Sequence, residues 1–230
     1  MRSCPIDSTF ERRYAMSRLR RAAGRSLRRL GWRRGGVELD ASWYDRAYAR
    51  GGNYDEPYAS SIHYPVWTVI VDRLRPLGGP SILDIGCGPG QFADMLADHG
   101  IDRYLGLDFS GTAIEIARDR ARDGHDFRVA DATDEASYEG VEAQVVVCME
   151  VLEHVDRDDL VLRHAPEGAR FIGTVPSFDY PGHVRHFHSV DEVRARYESW
   201  IEDLEITTIA VPHAPDCRWY LMQGVLPAGA

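Results

Sequence analysis

Lysine is absent from this 230-residue chain; all 27 basic residues are arginine. That excludes a P-loop, whose glycines must be followed by a lysine. The four cysteines (Cys4, Cys87, Cys148, Cys217) form no CxxC pair and show no disulfide-like spacing, which suits a reducing, cytoplasmic setting. No apolar run approaches the ~20 residues a bilayer-spanning helix needs. The first residues also lack the apolar stretch of a secretory signal, so a soluble protein is expected. There is no internal repeat, and no biased tract beyond the early arginines. Hydrophobic residues nonetheless make up 44% of the chain, enough to exclude wholesale disorder. The length suits one α/β domain with additions.

Charge is unevenly spread. Residues 1–36 hold eleven arginines against Asp7 and Glu11, a local balance of +9, so the other 194 residues carry −18 of the formal −9. The acidic body argues against a broad phosphate-binding face, because nucleic-acid affinity rests on arginine and lysine neutralising phosphates. Within the basic extension, Met16, Leu19, Ala23, Leu27 and Leu30 recur at helical spacing. Two readings follow: an amphipathic helix that contacts an anionic membrane or an acidic partner, or a solvated extension or a mis-assigned start with Met16 as the true initiator.

Residues 37–79 are rich in aromatics (Trp43, Tyr44, Tyr48, Tyr54, Tyr58, Tyr64, Trp67) and read as a helical segment. It is either a lid or ordinary helix packing. A helix from Ser60 or Ser61 to about Leu77 would stop at Gly78-Gly79-Pro80. From residue 80 strand and helix patterns alternate. SILDIG, YLGLDF, DFRVADA, AQVVVCM and RFIGTVP read as strands. QFADMLADHG, the segment after Ser110, and EVLEHVDRDDLVLRHA read as helices. Ser189 and Glu192 make a capping box for VDEVRARYESWI. LEITTIAVPH and CRWYLMQGVL close the chain around a turn at Pro215-Asp216. The pattern predicts a mostly parallel, doubly wound α/β sheet with helices on both faces and an antiparallel hairpin at one edge.

The most informative stretch is ILDIGCGPGQF, a buried strand running through Asp84, Gly86, Gly88 and Gly90 into a helix. Glycines allow a tight turn and close approach of a ligand, and ligands of open α/β sheets bind at the carboxyl ends of strands. The dinucleotide fingerprint G-x-G-x-x-G does not fit, since Gln91 stands where its third glycine would fall. Asp84 on the turn repels phosphate and attracts a cation such as an ammonium group. Asp108 ends the next strand, about 20 residues on, where a carboxylate accepts from ribose hydroxyls. Asp131 ends the third, within reach of an adenine amine. Ammonium, ribose and adenine without phosphate describe S-adenosylmethionine.

Taken together, LDIGCGPGQF, YLGLDFS, VADA and VVVCMEVLEHV resemble the successive motifs of class I S-adenosylmethionine-dependent methyltransferases over roughly residues 58–226. The resemblance implies their Rossmann-like fold with a seven-stranded sheet. It implies that Gly86, Gly88 and Gly90 cradle the methionine and ribose, and that Asp108 holds the ribose diol with Phe109 beside the adenine. Asp131 and Ala132 would read the adenine edge, and Met149 would line the pocket.

CMEVLEHV places Glu150, Glu153 and His154 at i, i+3 and i+4, on one face if the segment is helical. Three readings stay open. Two carboxylates and an imidazole bind a hard divalent cation such as Mg²⁺ that activates the acceptor, with His186 of the GHVRHFHS loop, beside His183 and His188, as a further ligand. Alternatively His154 alone takes the proton, with Glu150 as its acidic companion. Or the acids merely favour a helix start and His154 packs beneath the pocket. Arg185 is placed to anchor an acidic substrate group.

The segment looks very like that of ubiquinone-biosynthesis O-methyltransferases, which implies methylation of a small-molecule hydroxyl (a phenol, catechol or sugar). Its spacing is also similar to that of RNA 3′-terminal 2′-O-methyltransferases, whose metal site adds a later histidine. Nitrogen or carbon methylation is the remaining alternative. Residues 80–230 are thus expected to form the cofactor-binding domain.

Overall fold

The computed structural model describes residues 36–228 apart from Asn53, Asp55 and His213. The basic extension, Met16 included, lies outside the described residues save for Gly36. Among them, no helix is long and apolar enough to cross a membrane.

Seven strands form one sheet in the order β3-β2-β1-β4-β5-β7-β6. β1 (Ile82–Ile85), β2 (Tyr104–Asp108), β3 (His125–Val129), β4 (Val145–Met149) and β5 (Arg170–Pro176) run parallel. β6 (Glu202–Val211) and β7 (Ala214–Val225) pair antiparallel with each other, and β7 pairs antiparallel with β5. The expected hairpin is present. Its strand β7 already begins at Ala214, so Pro215-Asp216 lies in the strand and not in the turn.

β1 and β4 are buried on both faces because both faces are covered. Ile82, Val145 and Val147 join one core with α2 (Tyr64–Leu74), α3 (Gln91–Asp98) and α4 (Gly111–Arg120). Leu83, Ile85, Val146 and Cys148 join the other, under α5 (Asp158–His164) and α6 (Val190–Tyr197). A further helix, α1 (Ala41–Tyr48), precedes them and buries none of its residues fully. Val66, Trp67, Ile70 and Leu74 put α2 firmly in the core, so Trp67 is packing.

Capping residues behave as their chemistry requires. Ser110 Oγ accepts from Ala113 N at 3.1 Å to open α4, and Ser189 Oγ accepts from Glu192 N at 3.2 Å to open α6. The return bond of that box goes one residue further back, from His188 N to Glu192 Oε2 at 2.7 Å. Cys87 and Cys148 are buried free thiols.

Two expectations fail. β3 stops at Val129, so Asp131 lies beyond the strand in an exposed turn. The helix expected over EVLEHVDRDDLVLRHA begins only at Asp158. Glu150 adopts a left-handed φ of 54°, and Arg185 donates to the carbonyls of Leu152, Val155 and Asp156. The left-handed Glu150 breaks the helical path, Arg185 holds the following carbonyls in place, and residues 152–154 form a turn.

Candidate active site

The strand order reverses between β1 and β4, so the crevice opens where the β1 turn meets the end of β4. The turn is built from Gly86, Gly88 and Gly90, all at positive φ. At Gly86 a Cβ would lie 2.2 Å from Val151 Cγ2, so only glycine fits there. Asp108 reaches back across the crevice. Its Oδ2 accepts from Gly88 N and its Oδ1 from Ser110 N, each at 2.9 Å. Burial pushes its carboxyl up to about 6, against the pull of those two amide bonds.

Asp84 is buried beneath the turn. Its Oδ2 accepts from Tyr104 Oη at 2.6 Å, while Oδ1 has no partner. Burial raises this carboxyl to about 7; the Tyr104 bond opposes the shift. Tyr104 is a site residue the sequence reading missed. Its only local signal is register: it faces Ile82, two residues before Asp84 on the neighbouring strand. Phe109 stays partly exposed, and Met149 is half-buried against the first core. Ala132 packs on the second core. Asp131 is turned inward on its own loop, accepting from Thr133 N at 2.8 Å and Thr133 Oγ1 at 2.7 Å. Both bonds fall on Oδ1, and Oδ2 takes part in neither.

The second half of the site differs from the expected helix face. Glu150 accepts from Thr174 Oγ1 at 2.9 Å and from Trp219 Nε1 at 3.1 Å, which directs it toward β5 and β7. Burial raises its carboxyl to about 7, opposed by those two bonds. Glu153, fully buried, instead meets His154 and His183: one ligand-type atom from each lies within 4.8 Å of the others. Glu150 and His186 are not in this group; the structure clusters Glu153 and His154 with His183 instead. His186 stacks edge-on against His188, with centroids 5.0 Å apart. Arg185 is no substrate anchor either, since it is occupied by three backbone carbonyls and buried Asp158.

The geometry of Glu153 is unusual. Both of its carboxylate oxygens are buried without a hydrogen-bond partner, and the His183 Nε2 to Oε1 separation is 4.0 Å. Burial first, then repulsion from Glu150, pushes its carboxyl well above the usual range. Burial likewise lowers His154 to about 4 and His183 to about 3, so both imidazoles are neutral near pH 7. A buried carboxylate left unpartnered between two neutral imidazoles is costly by itself. It is the donor set a divalent cation satisfies.

Backbone bonds assemble the group. The Glu153 carbonyl accepts from Val184 N at 2.8 Å and from Arg185 N at 3.3 Å, pinning the histidine loop to the β4 turn. From the other side α1 lies across the crevice. Asp45 Oδ1 accepts from Ser110 Oγ at 2.5 Å and Thr112 N at 3.2 Å. The Tyr48 hydroxyl sits over Gly88. The Tyr44 ring packs 5.1 Å from Phe109, and its hydroxyl lies 3.0 Å from His154 Nδ1. No local pattern marks these three residues beyond the aromatic richness of the segment.

Residues 82–167 match the family model of the methyltransferase domain. A ubiquinone biosynthesis O-methyltransferase of Thiobacillus denitrificans is 39% identical over 88 residues, covering 37% of this chain and 38% of that protein. The chain thus spans about two fifths of the length of this curated relative. The structure of the N-methyltransferase NodS from Bradyrhizobium japonicum, in complex with S-adenosyl-L-homocysteine, shares the fold. Its TM-score is 0.55 at 19% identity, over 71% of this chain and 87% of NodS. The magnesium protoporphyrin IX methyltransferase ChlM of Synechocystis, also with bound S-adenosylhomocysteine, aligns with a TM-score of 0.56 at 19% identity, over 72% of this chain and 84% of ChlM. The seven-stranded fold is that of Rossmann-like methyltransferases.

Proposed function

We propose that this chain is an S-adenosylmethionine-dependent methyltransferase acting on a hydroxyl of a small molecule, a phenol, catechol or sugar. The observation that carries the donor is the glycine turn at the sheet's switch point, lined by two buried carboxylates and no basic residue between 84 and 90. Asp84's unpartnered oxygen suits an ammonium group, and Asp108 suits a ribose diol. A pyrophosphate would meet repulsion at both. The hydroxyl acceptor rests on the O-methyltransferase relatives and on the acid and imidazole groups beside the crevice.

In the transfer, an acceptor oxygen forms a bond to the methyl carbon as the methyl–sulfur bond breaks, and neutral S-adenosylhomocysteine leaves. The protein positions the two reactants and takes one proton. Glu150, raised to about 7 at the carboxyl end of β4, is poised as that base.

The second part of the proposal is a divalent ion held by Glu153, His154 and His183, whose orphaned carboxylate oxygens fit one. Bound there, an ion acts as a Lewis acid that lowers the acceptor hydroxyl's pKa. Two imidazole donors favour Mn²⁺ or Zn²⁺ over the Mg²⁺ expected from paired carboxylates, since Mg²⁺ prefers oxygen ligands.

The test is S-adenosylhomocysteine release over a panel of hydroxylated acceptors, with and without Mn²⁺, Zn²⁺ and Mg²⁺ after chelation. Release with none of them, together with no binding of the donor, overturns the methyltransferase reading; release indifferent to chelation overturns only the metal. The later histidine, His183, lends support to RNA 3′-end methylation as a second reading. The body's charge of −18 opposes it, and tight, strongly salt-dependent RNA binding would reverse that judgement.

A further inference from the structure

Each histidine of the buried group has its Nδ1 in a hydrogen bond. His183 donates Nδ1–H to the Phe178 carbonyl at 3.1 Å, leaving Nε2 toward Glu153. His154 has its Nδ1 3.0 Å from the Tyr44 hydroxyl, which can donate or accept there, and its ring is also hydrogen-bonded to the Gly182 backbone. Imidazoles that bind a metal or move a proton commonly have the other nitrogen fixed this way, because that bond sets both ring orientation and tautomer. The Phe178 carbonyl belongs to the loop that carries His183. Tyr44, by contrast, comes from α1, 110 residues from His154 in the chain.

We propose that Tyr44 is a positioning residue: its hydroxyl fixes the His154 ring, so the Glu153–His154–His183 group is complete only while α1 lies across the crevice. The proposal rests on the reading of this group as a divalent-ion site. Independent contacts support a role in closure. Asp45, the next residue, bonds Ser110 and Thr112 at the cofactor half. Glu38 Oε2 accepts from Asp156 N at 2.8 Å, just past the His154 turn. Leu39 packs against Gly182, beside His154. The segment therefore touches both halves of the site, and Tyr44 is its contact with the ligand-type side chains. By linkage, whatever orders the histidine group must also hold α1 down, to the same extent.

The test uses the full chain as wild type, Tyr44→Phe, His154→Ala and the double variant. Tyr44→Phe keeps the ring against Phe109 and removes only the hydroxyl. Two measurements are made: Mn²⁺ affinity, followed by loss of its free electron-spin signal, and amide hydrogen exchange of residues 41–48 without metal. The expected results are a ten- to hundred-fold loss of Mn²⁺ affinity in Tyr44→Phe, and faster exchange of α1, by about fivefold, in either single variant with no further gain in the double. Unchanged Mn²⁺ affinity in Tyr44→Phe, or additive exchange effects, overturns the proposal. If wild type binds no Mn²⁺, the metal reading fails by itself, and the exchange cycle alone decides whether Tyr44 holds His154.

Discussion

The two halves of the crevice are built on opposite principles. The cofactor half is local: Asp84, Gly86, Gly88 and Gly90 lie within seven residues, and Asp108 answers from the adjacent strand through one pair of backbone bonds. Its carboxylates are mostly satisfied by the protein itself. The acceptor half is drawn from three distant segments, the β4 turn, the 178–188 loop and α1, and it leaves a fully buried carboxylate unpartnered. A site that is satisfied without its ligand tolerates its absence. One that is unsatisfied sets aside stability for function, which is where binding partners are to be sought.

The sharpest break of this contrast is on the cofactor side. Asp108→Ala removes the acceptor for Gly88 N and for the ribose together, so donor affinity measured by calorimetry should fall by about a hundredfold or more. Next comes the turn's backbone. Gly86→Ala places a Cβ against Val151 at a φ of 76° and should cost about 2–4 kcal/mol in denaturant unfolding. Gly100, at a φ of 72° with nothing within 4 Å, should lose only about 1 kcal/mol on the same change.

The acceptor side should respond with the opposite sign. Glu153→Leu should abolish Mn²⁺ binding yet stabilise the metal-free protein by about 1–3 kcal/mol, read as a raised melting temperature, because an unpartnered buried carboxylate is removed. A destabilised Glu153→Leu protein would show that this carboxylate is satisfied and that the contrast between the halves is false.

The smallest effect is protonic. Asp84 is raised to about 7 and Asp108 to about 6, so the native protein holds protons there that the unfolded chain has released. Their contribution to stability is present below the ordinary carboxylate pKa near 4 and is lost as pH rises through 6 to 7. A cationic donor with ribose hydroxyls favours the ionised forms. Its binding at pH 6 should release up to about one proton, seen as buffer-dependent calorimetric enthalpy, and the release should vanish above pH 8 and shrink in Asp84→Asn.

Legibility in the sequence follows the same division. ILDIGCGPGQF announces strand, turn and helix because the period of its apolar residues and its glycines act over a few positions. The hairpin edge and both serine caps were readable for the same reason. The spacing of EVLEHV is helical, whereas Glu150 takes a left-handed φ and the Arg185 guanidinium, 30 residues from Val155, holds the segment's carbonyls in a turn. Which of three histidines within six residues lies beside Glu153 cannot be read without the loop's path; the structure puts His183 there.

What the chain's order of residues determined by itself is the sheet and the glycine turn, because these depend on side-chain type and short-range geometry. Only the tertiary structure decided which acid lies beside which imidazole, and that a tyrosine from α1 reaches them. Those contacts join segments remote in sequence through single hydrogen bonds, and a bond between remote segments leaves no periodic trace in either one.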